Sequence, residues 1–312
     1  MPPTAIPANA PAGDAAVAAP GAPAPAIRVR NLVKRFGDKT VLDGITLDIH
    51  AGRTMVIMGG SGCGKSTFLR CLIGSLQPEE GSIEVFGRDI ARLDEQELNE
   101  VRKKFGILFQ SGALFNSMTL RQNVALPLEE HTTLPPPTID IMVKIKLELV
   151  GLREHGDKFP AEISGGMKKR AGLARALSLD PQLLFYDEPS AGLDPVTSAE
   201  IDQLILGLTN KLSVTSVVVT HEMDSAFTIA DEMAMLDKGR VLKVGPRAEF
   251  DAIRNHEGEL DETAALIRQF LRGAAEGPIT QRKQTSNYAE DLLGEMPRHL
   301  VPRPSVRATR VK

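Results

Sequence analysis

Thr54-Met55-Val56-Ile57-Met58-Gly59-Gly60-Ser61-Gly62-Cys63-Gly64-Lys65-Ser66-Thr67 is the stretch on which the fold class turns. Its first five residues form an apolar run without alternation, the pattern of a strand buried on both faces. From Lys65 onward, Phe68, Leu69, Leu72, Ile73 and Leu76 fall on one helical face. Pro78 lies just past the expected end of that helix. Between strand and helix, Gly59 to Ser66 fit G-x-x-x-x-G-K-[ST]. Glycines let the backbone curl so that successive N–H groups point inward at a phosphate chain. The helix N-terminus adds roughly half a positive charge. Lys65 supplies a point charge for the β- and γ-phosphates, Ser66 offers a hydroxyl to Mg²⁺, and Thr67 can donate to the α-phosphate. An ordinary glycine turn is the plainer alternative, and the strand and helix on either side weigh against it.

The pattern extends in both directions from this loop. Ile27 to Val33 alternates like a half-buried strand, and Thr40 to Ile49 carries a second strand signal. Gly106-Ile107-Leu108-Phe109-Gln110 reads as a short strand. Residues 111 to about 163 then turn helical, with one helix framed by Thr138 as N-cap and Gly151 as stop. Beyond them, Leu183 to Tyr186, Ser216 to Thr220 and Met233 to Leu236 read as strands between helices. Alternation of this kind predicts an α/β fold, a parallel sheet covered by helices, with the helical block as an insertion. Residues 1–27 are an Ala/Pro-rich stretch expected to be disordered. A helical pattern from Thr263 to Arg272 opens a C-terminal extension, punctuated by Gly277-Pro278. Within it Tyr288, Leu292 and Leu293 share one helical face, and the end from Arg298 is basic.

Composition narrows the function classes. The chain has 312 residues, a net charge of −3, no Trp and two Tyr, which disfavours a nucleic-acid partner and a base-stacking surface. No run of about 18 apolar residues is present. The N-terminal stretch has no basic n-region, and Pro20, Pro23 and Pro25 interrupt it, so a secretory signal is not expected. Cys63 and Cys71 bracket the expected helix at a separation too long for a disulfide, as befits a reducing compartment.

Leu183-Leu184-Phe185-Tyr186-Asp187-Glu188 is an apolar strand that ends in two carboxylates. In parallel sheets the carboxyl ends of the strands line the ligand crevice. Asp187 is therefore expected beside the phosphate loop as a Mg²⁺ ligand, and Glu188 as the group that polarises an attacking water.

Further motifs carry a family resemblance. Ile163-Ser164-Gly165-Gly166-Met167 resembles the ABC-ATPase signature, usually written LSGGQ. Ser190-Ala191-Gly192-Leu193-Asp194 resembles the D-loop, His221 the switch histidine, Gln110 the Q-loop glutamine, and Phe36 the aromatic residue that stacks on adenine. In this order, over residues 28 to 250, they resemble an ABC-transporter ATP-binding subunit. The resemblance implies a P-loop NTPase (RecA-like) core with an N-terminal antiparallel β region and a helical subdomain at about 111–175. Residues 251–312 remain as an extension. ATP and Mg²⁺ are the implied cofactors. Glu188, His221 and Gln110 are the implied catalytic residues, and Ser66, Gln110 and Asp187 the metal ligands. Nucleotide contacts fall to Phe36, residues 59–67, Ser164, Gly165, Gly166 and Asp194.

Each of these residues also has a physical reading. Ser164, Gly165 and Gly166 form a helix start with free N–H groups, a second anion site or a simple N-cap. His221 follows the strand Val217 to Thr220, at the sheet edge that carries Asp187. Gln110, ending its strand, is placed to contact Mg²⁺ or the water and to sense motion of the helical block. Met167 stands where the family usually has Gln, but the Ser-Gly-Gly before it carries the phosphate contact. The chain has one loop and one signature; the family resemblance implies that each nucleotide lies between the loop of one copy and the signature of another, and so implies a second copy.

Met167-Lys168-Lys169-Arg170 narrows the resemblance to the MlaF-like ATPases of Mla/Mce-type phospholipid transporters, which maintain outer-membrane lipid asymmetry. Leu108 to Phe115, Pro127 to Thr132 and Tyr288 to Leu293 agree. That group implies integral-membrane permease subunits, a lipid-binding MCE-domain protein and a small STAS-domain protein as partners. The implied location is peripheral, at the cytoplasmic face of the inner membrane. An importer ATPase for polar amino acids is the alternative. An ATPase acting on DNA or ribosomes is disfavoured by the single cassette and the acidic charge.

Overall fold

The structure, a computed structural model, describes residues 25–280. In chain order the elements are β1 (Pro25–Phe36), β2 (Lys39–His50), β3 (Thr54–Gly59), α1 (Lys65–Leu72), β4 (Glu80–Val85), β5 (Arg88–Asp89), α2 (Glu95–Arg102), β6 (Phe105–Leu108), α3 (Leu120–His131), α4 (Pro136–Leu149), α5 (Gly165–Ala176), β7 (Leu183–Asp187), α6 (Pro195–Leu212), β8 (Thr215–Val219), α7 (Met223–Ile229), β9 (Glu232–Asp237), β10 (Arg240–Pro246), α8 (Arg247–Asn255) and α9 (Glu262–Arg272). The first strand opens at Pro25, so the last three residues of the expected tail belong to the fold. Residues 1–24, the face formed by Tyr288, Leu292 and Leu293, and the basic end lie outside the described residues.

Two sheets form. β2, β1, β4 and β5 make an antiparallel sheet, while β10-β9-β3-β8-β7-β6 make a second one. In the second, β9, β3, β8, β7 and β6 run parallel, and β10 pairs antiparallel at the edge. All six residues of β3 are buried, as its unbroken apolar run predicts. Strand parity divides the interior. Met55 and Ile57 face a core shared with Ile27, Leu32 and Ile45 of the antiparallel sheet and with Phe68 of α1. Val56 and Met58 face the opposite core, built with Leu120, Val143, Leu173 and Ile205 from the helices. Each such side chain contributes roughly 1.5–3 kcal/mol when fully buried, so a one-residue slip of β3 would exchange both cores and is strongly disfavoured.

Several boundaries differ from the sequence reading. α1 ends at Leu72, a turn before Leu76, because Gly74 takes φ 71° and turns the chain. α4 begins at Pro136 with Pro135 as its N-cap, not Thr138. Proline suits the first turn, where N–H groups have no intrahelical partner. Gly151, at φ 68°, follows the end of that helix as read. β6 stops at Leu108, the residue paired with Tyr186, so Gln110 lies two residues past the strand rather than at its end. Likewise β8 stops at Val219.

Candidate active site

Parallel register brings the strand ends together. Asp187 lies beside Val219, and Val219 beside Ile57. The residues that follow β3, β6, β7 and β8 therefore leave from one edge of the sheet: the loop after Gly59, Gln110, Asp187-Glu188, and His221.

The loop wraps tightly against its surroundings. Gly59 has φ 153°, and a Cβ there would sit 2.3 Å from the Leu236 carbonyl oxygen. Gly64 has φ 110°, and a Cβ there would meet the Leu42 side chain at 2.8 Å. Gly64 is also the N-cap of α1 and supplies no capping side chain. The open first turn of the helix is thus free for an anion. Lys65 is buried, its Nζ donating to the carbonyls of Gly59 at 2.7 Å and Gly60 at 3.1 Å. Cys63 is buried with its thiol pushed up by burial, its N–H donates to the Gly60 carbonyl at 3.2 Å, and both cysteines are free thiols. Ser61, Gly62 and Ser66 are exposed, and Thr67 is half-buried.

Asp187 is half-buried, and burial first, then the neighbouring Glu188, push its carboxyl above the ordinary range. Arg70, Lys169 and Lys65 oppose that shift. A cation beside Asp187 would relieve it. Among the described residues no cluster of three His, Cys, Asp or Glu could hold a metal. An ion here would take its other ligands from hydroxyl, amide, phosphate and water oxygens, a donor set that fits Mg²⁺.

Glu188 holds φ 50°, a left-handed conformation that costs a non-glycine residue roughly 1–2 kcal/mol. Every polar group it has is engaged. Its N–H donates to the Val219 carbonyl at 2.8 Å. Its Oε1 pairs with His221 Nδ1 at 2.9 Å, and its Oε2 accepts the His221 N–H at 3.3 Å. Its carbonyl accepts from Lys169 Nζ at 2.9 Å and from the Ala191 N–H at 3.3 Å. The Glu188 side chain is 13% exposed and that of His221 60% exposed. The sequence put these two at one edge; their direct contact spans two strands and was not read. Lys169 carries no site role in the sequence pattern, where it belongs only to the run Met167 to Arg170. Its position on the buried stripe of α5 with Gly166 and Leu173 was the available signal. Burial pushes its ammonium down, while Glu188, Glu222 and Asp187 push it up.

The remaining residues are placed as follows. Phe36 ends β1 with its side chain exposed and Lys34 Nζ 5.3 Å from the ring centroid, leaving a flat apolar surface for a base. Ser164 caps α5, its Oγ accepting the Met167 N–H at 3.3 Å. Ser164 and Gly165 are exposed, and Gly166 is buried against Thr197. Among the described residues no hydrogen bond or ion pair joins residues 164–166 to the phosphate loop. Asp194 caps α6, accepting the N–H groups of Val196 and Thr197 at 3.1 Å and the Thr197 hydroxyl at 2.6 Å. The Thr197 hydroxyl and N–H hold its carboxyl below the usual range. Behind the site, the buried carboxylate of Asp202 accepts the hydroxyls of Ser190 (3.3 Å) and Ser225.

Strand, glycine loop and helix around Lys65, with an acidic strand end beside them, define a P-loop nucleotide-binding cassette. The ABC transporter family model matches residues 42–191. A probable ribonucleotide transport ATP-binding protein, mkl, of Mycobacterium leprae is 47% identical over 268 residues, covering 85% of this chain and 75% of that protein. The intermembrane phospholipid transport system ATP-binding protein MlaF of Haemophilus influenzae is 41% identical over 267 residues, covering 86% of this chain and 98% of MlaF. A dimeric ATP-binding cassette solved in a post-hydrolysis state with ADP and Pi has 29% identity and a TM-score of 0.66, covering 71% of this chain and 98% of its own. The chain belongs to the ATP-binding subunits of ABC transporters. It binds ATP and is an ATPase.

Proposed function

We propose that this ATPase works as a pair of identical copies on a membrane permease and energises phospholipid movement in a Mla/Mce-type system. The observation that carries the catalytic part is the Glu188–His221 pair at the strand edge that also bears the Lys65 loop. Residues 59–67 cradle the triphosphate, and Phe36 stacks on the base. Ser66, Gln110 and Asp187 would hold Mg²⁺, which would supply neutralisation of the phosphate charge. Glu188 orients the attacking water and draws its proton. His221 pairs with Glu188 through Nδ1 and keeps Nε2 for a γ-phosphate oxygen.

The exposed Ser164 and Gly165, with Gly166 and Asp194, serve the nucleotide of the second copy. ATP closes the pair because the γ-phosphate contacts both halves, and hydrolysis removes that bridge. The difference in free energy between closed and open states drives the partner. Residues 25–250 form the ATPase unit, with 111–175 as its helical subdomain and 251–312 as an extension. A groove of about 950 Å³, lined by Glu100, Lys103, Phe109, Pro127, His131 and Arg175, lies beside the Gln110 loop and suits a helix from the permease. Among the described residues no helix is long and apolar enough to cross a membrane. The likeness to the MlaF relatives supports a peripheral subunit at the cytoplasmic face, with an MCE-domain protein and a STAS-domain protein in the wider complex.

Phospholipid is favoured as cargo because the MlaF relatives are matched over 96–98% of their length, against 72–75% for the mkl relatives. Ribonucleotide transport is the second reading, favoured by the higher identity of the mycobacterial proteins, 46–47%. One experiment addresses both parts. The full chain is purified from its native membrane with its partners, as wild type and as Glu188→Gln. Co-purifying phospholipid, with ATP turnover abolished and ATP binding kept in Glu188→Gln, supports the proposal. Bound nucleotide cargo without lipid favours the second reading, and unchanged turnover removes Glu188 from its role.

A further inference from the structure

We propose that Lys169 is a positioning residue for hydrolysis: from the signature helix it grips the main-chain carbonyl of Glu188 and so fixes where the Glu188 carboxylate stands. The inference rests on the reading of Glu188 as the group that orients the attacking water.

Lysine is rarely buried, yet Lys169 is only 5% exposed. Its ammonium makes a directed hydrogen bond of 2.9 Å to the Glu188 carbonyl. Among the described residues no carboxylate comes within salt-bridge distance of it, so the link is this bond and not a freely rotating ion pair. Burial pushes the ammonium below its ordinary range, and the carboxylates of Glu188, Glu222 and Asp187 offset only part of that shift.

The bond falls where the backbone needs holding. Glu188 sits at φ 50°, and its other anchors come from β8, from His221 and from its own turn at Ala191. Among the described residues, the Lys169 hydrogen bond is the one that ties it to α5. A strained backbone persists only where its surroundings over-determine it. Loss of the ammonium leaves that carbonyl with the longer Ala191 hydrogen bond at 3.3 Å and loosens the backbone that carries the carboxylate.

The anchor also joins two sites. Lys169 lies about 6–8 Å along the helix from residues 164 and 165, by the rise per residue. Those residues serve the nucleotide of the second copy, while Glu188 serves the nucleotide of its own. A shift of the α5 start on closure therefore moves Lys169, and with it Glu188 of the other composite site.

The test uses the full chain in complex with its membrane partners. Lys169→Met should lower kcat on the order of 10–100-fold, the scale of an ångström-sized misplacement. KM for ATP and binding of a non-hydrolysable ATP analogue should stay within about twofold. Lys169→Arg, which keeps donor and charge, should recover most of the loss. If Lys169→Met keeps kcat within twofold, or loses ATP binding in proportion to kcat, the proposal is overturned. If Lys169→Met does not fold, Lys169→Arg and Lys169→Gln decide. An active Arg variant beside a slow Gln variant supports the proposal, and equal rates overturn it. Glu188→Gln in the same preparation separates the two ideas. If it turns over normally the reading of Glu188 fails. If it is dead while Lys169→Met is normal, only the positioning role fails.

Discussion

Gly59→Ala isolates the packing of the phosphate loop from its chemistry. Gly59 is the last residue of β3, paired with Leu236 of β9. A methyl group there would lie 2.3 Å from the Leu236 carbonyl oxygen and 2.7 Å from Cys63 Sγ. Reaching even 3.0 Å from that oxygen requires about 0.7 Å of movement by main-chain atoms. Overpacking on this scale costs about 1–3 kcal/mol. The conformation at φ 153°, which side chains rarely adopt, adds roughly 1–2 kcal/mol. The sum is about 2–5 kcal/mol, and at roughly 2–4 °C per kcal/mol the melting temperature should fall by about 4–20 °C. Gly60→Ala is the internal control: nothing lies within 4 Å of its Cβ position, and its φ is not in the glycine-favouring range. That variant should melt within about 2 °C of wild type. The assay is thermal unfolding of the nucleotide-free chain followed by circular dichroism. Equal melting of the two variants would refute the contact between loop and β9.

Lys65→Ala should weaken ATP binding by about 10–150-fold, the worth of a charge-assisted contact of 1.5–3 kcal/mol, measured by titration with a fluorescent ATP analogue; unchanged affinity would contradict the cradle. Asp202→Asn should change how stability depends on pH. Burial raises the folded-state carboxyl of Asp202 above its unfolded value, so its contribution is full below the unfolded value and is lost as pH rises through the folded one. Melting of the Asn variant should therefore gain on wild type from about pH 4 upward, and parallel melting curves across that range would show that Asp202 is not so perturbed.

The phosphate loop was legible because its glycines, lysine and flanking apolar strand are all local signals, and each has one physical meaning. The burial of β3 on both faces was legible for the same reason. Errors arose where a neighbour decides. Phe109 and Gln110 continue an apolar-looking strand, but pairing with β7 ends at Leu108 and only the partner sets that limit. Thr138 has capping chemistry, yet Pro136 and Pro137 already satisfy the first turn of α4. The Glu188–His221 contact joins residues 33 apart across two strands, and no local pattern specifies it. Lys169 was partly legible: a lysine on the stripe of small and apolar residues of α5 signals a buried charge, although its partner was not visible.

The helix α5 ties these features into one body. Its first turn presents Ser164 and Gly165 outward. Its middle holds the Glu188 carbonyl through Lys169. Near its end Arg175 donates to the carbonyls of Ala113 at 2.8 Å and Gly112 at 3.3 Å, in the loop that carries Gln110. Gly172 permits that closeness, since a Cβ there would come within 2.8 Å of the Gly112 carbonyl oxygen. A helix of 12 residues is about 18 Å long and keeps its length under small loads, because shortening it would strain its backbone hydrogen bonds. Movement at any of the three points must therefore appear at the other two, unless one of these hydrogen bonds breaks. A permease segment pressing beside Gln110 and a second copy closing on Ser164 would act on the same rod, and Glu188 is held by its middle.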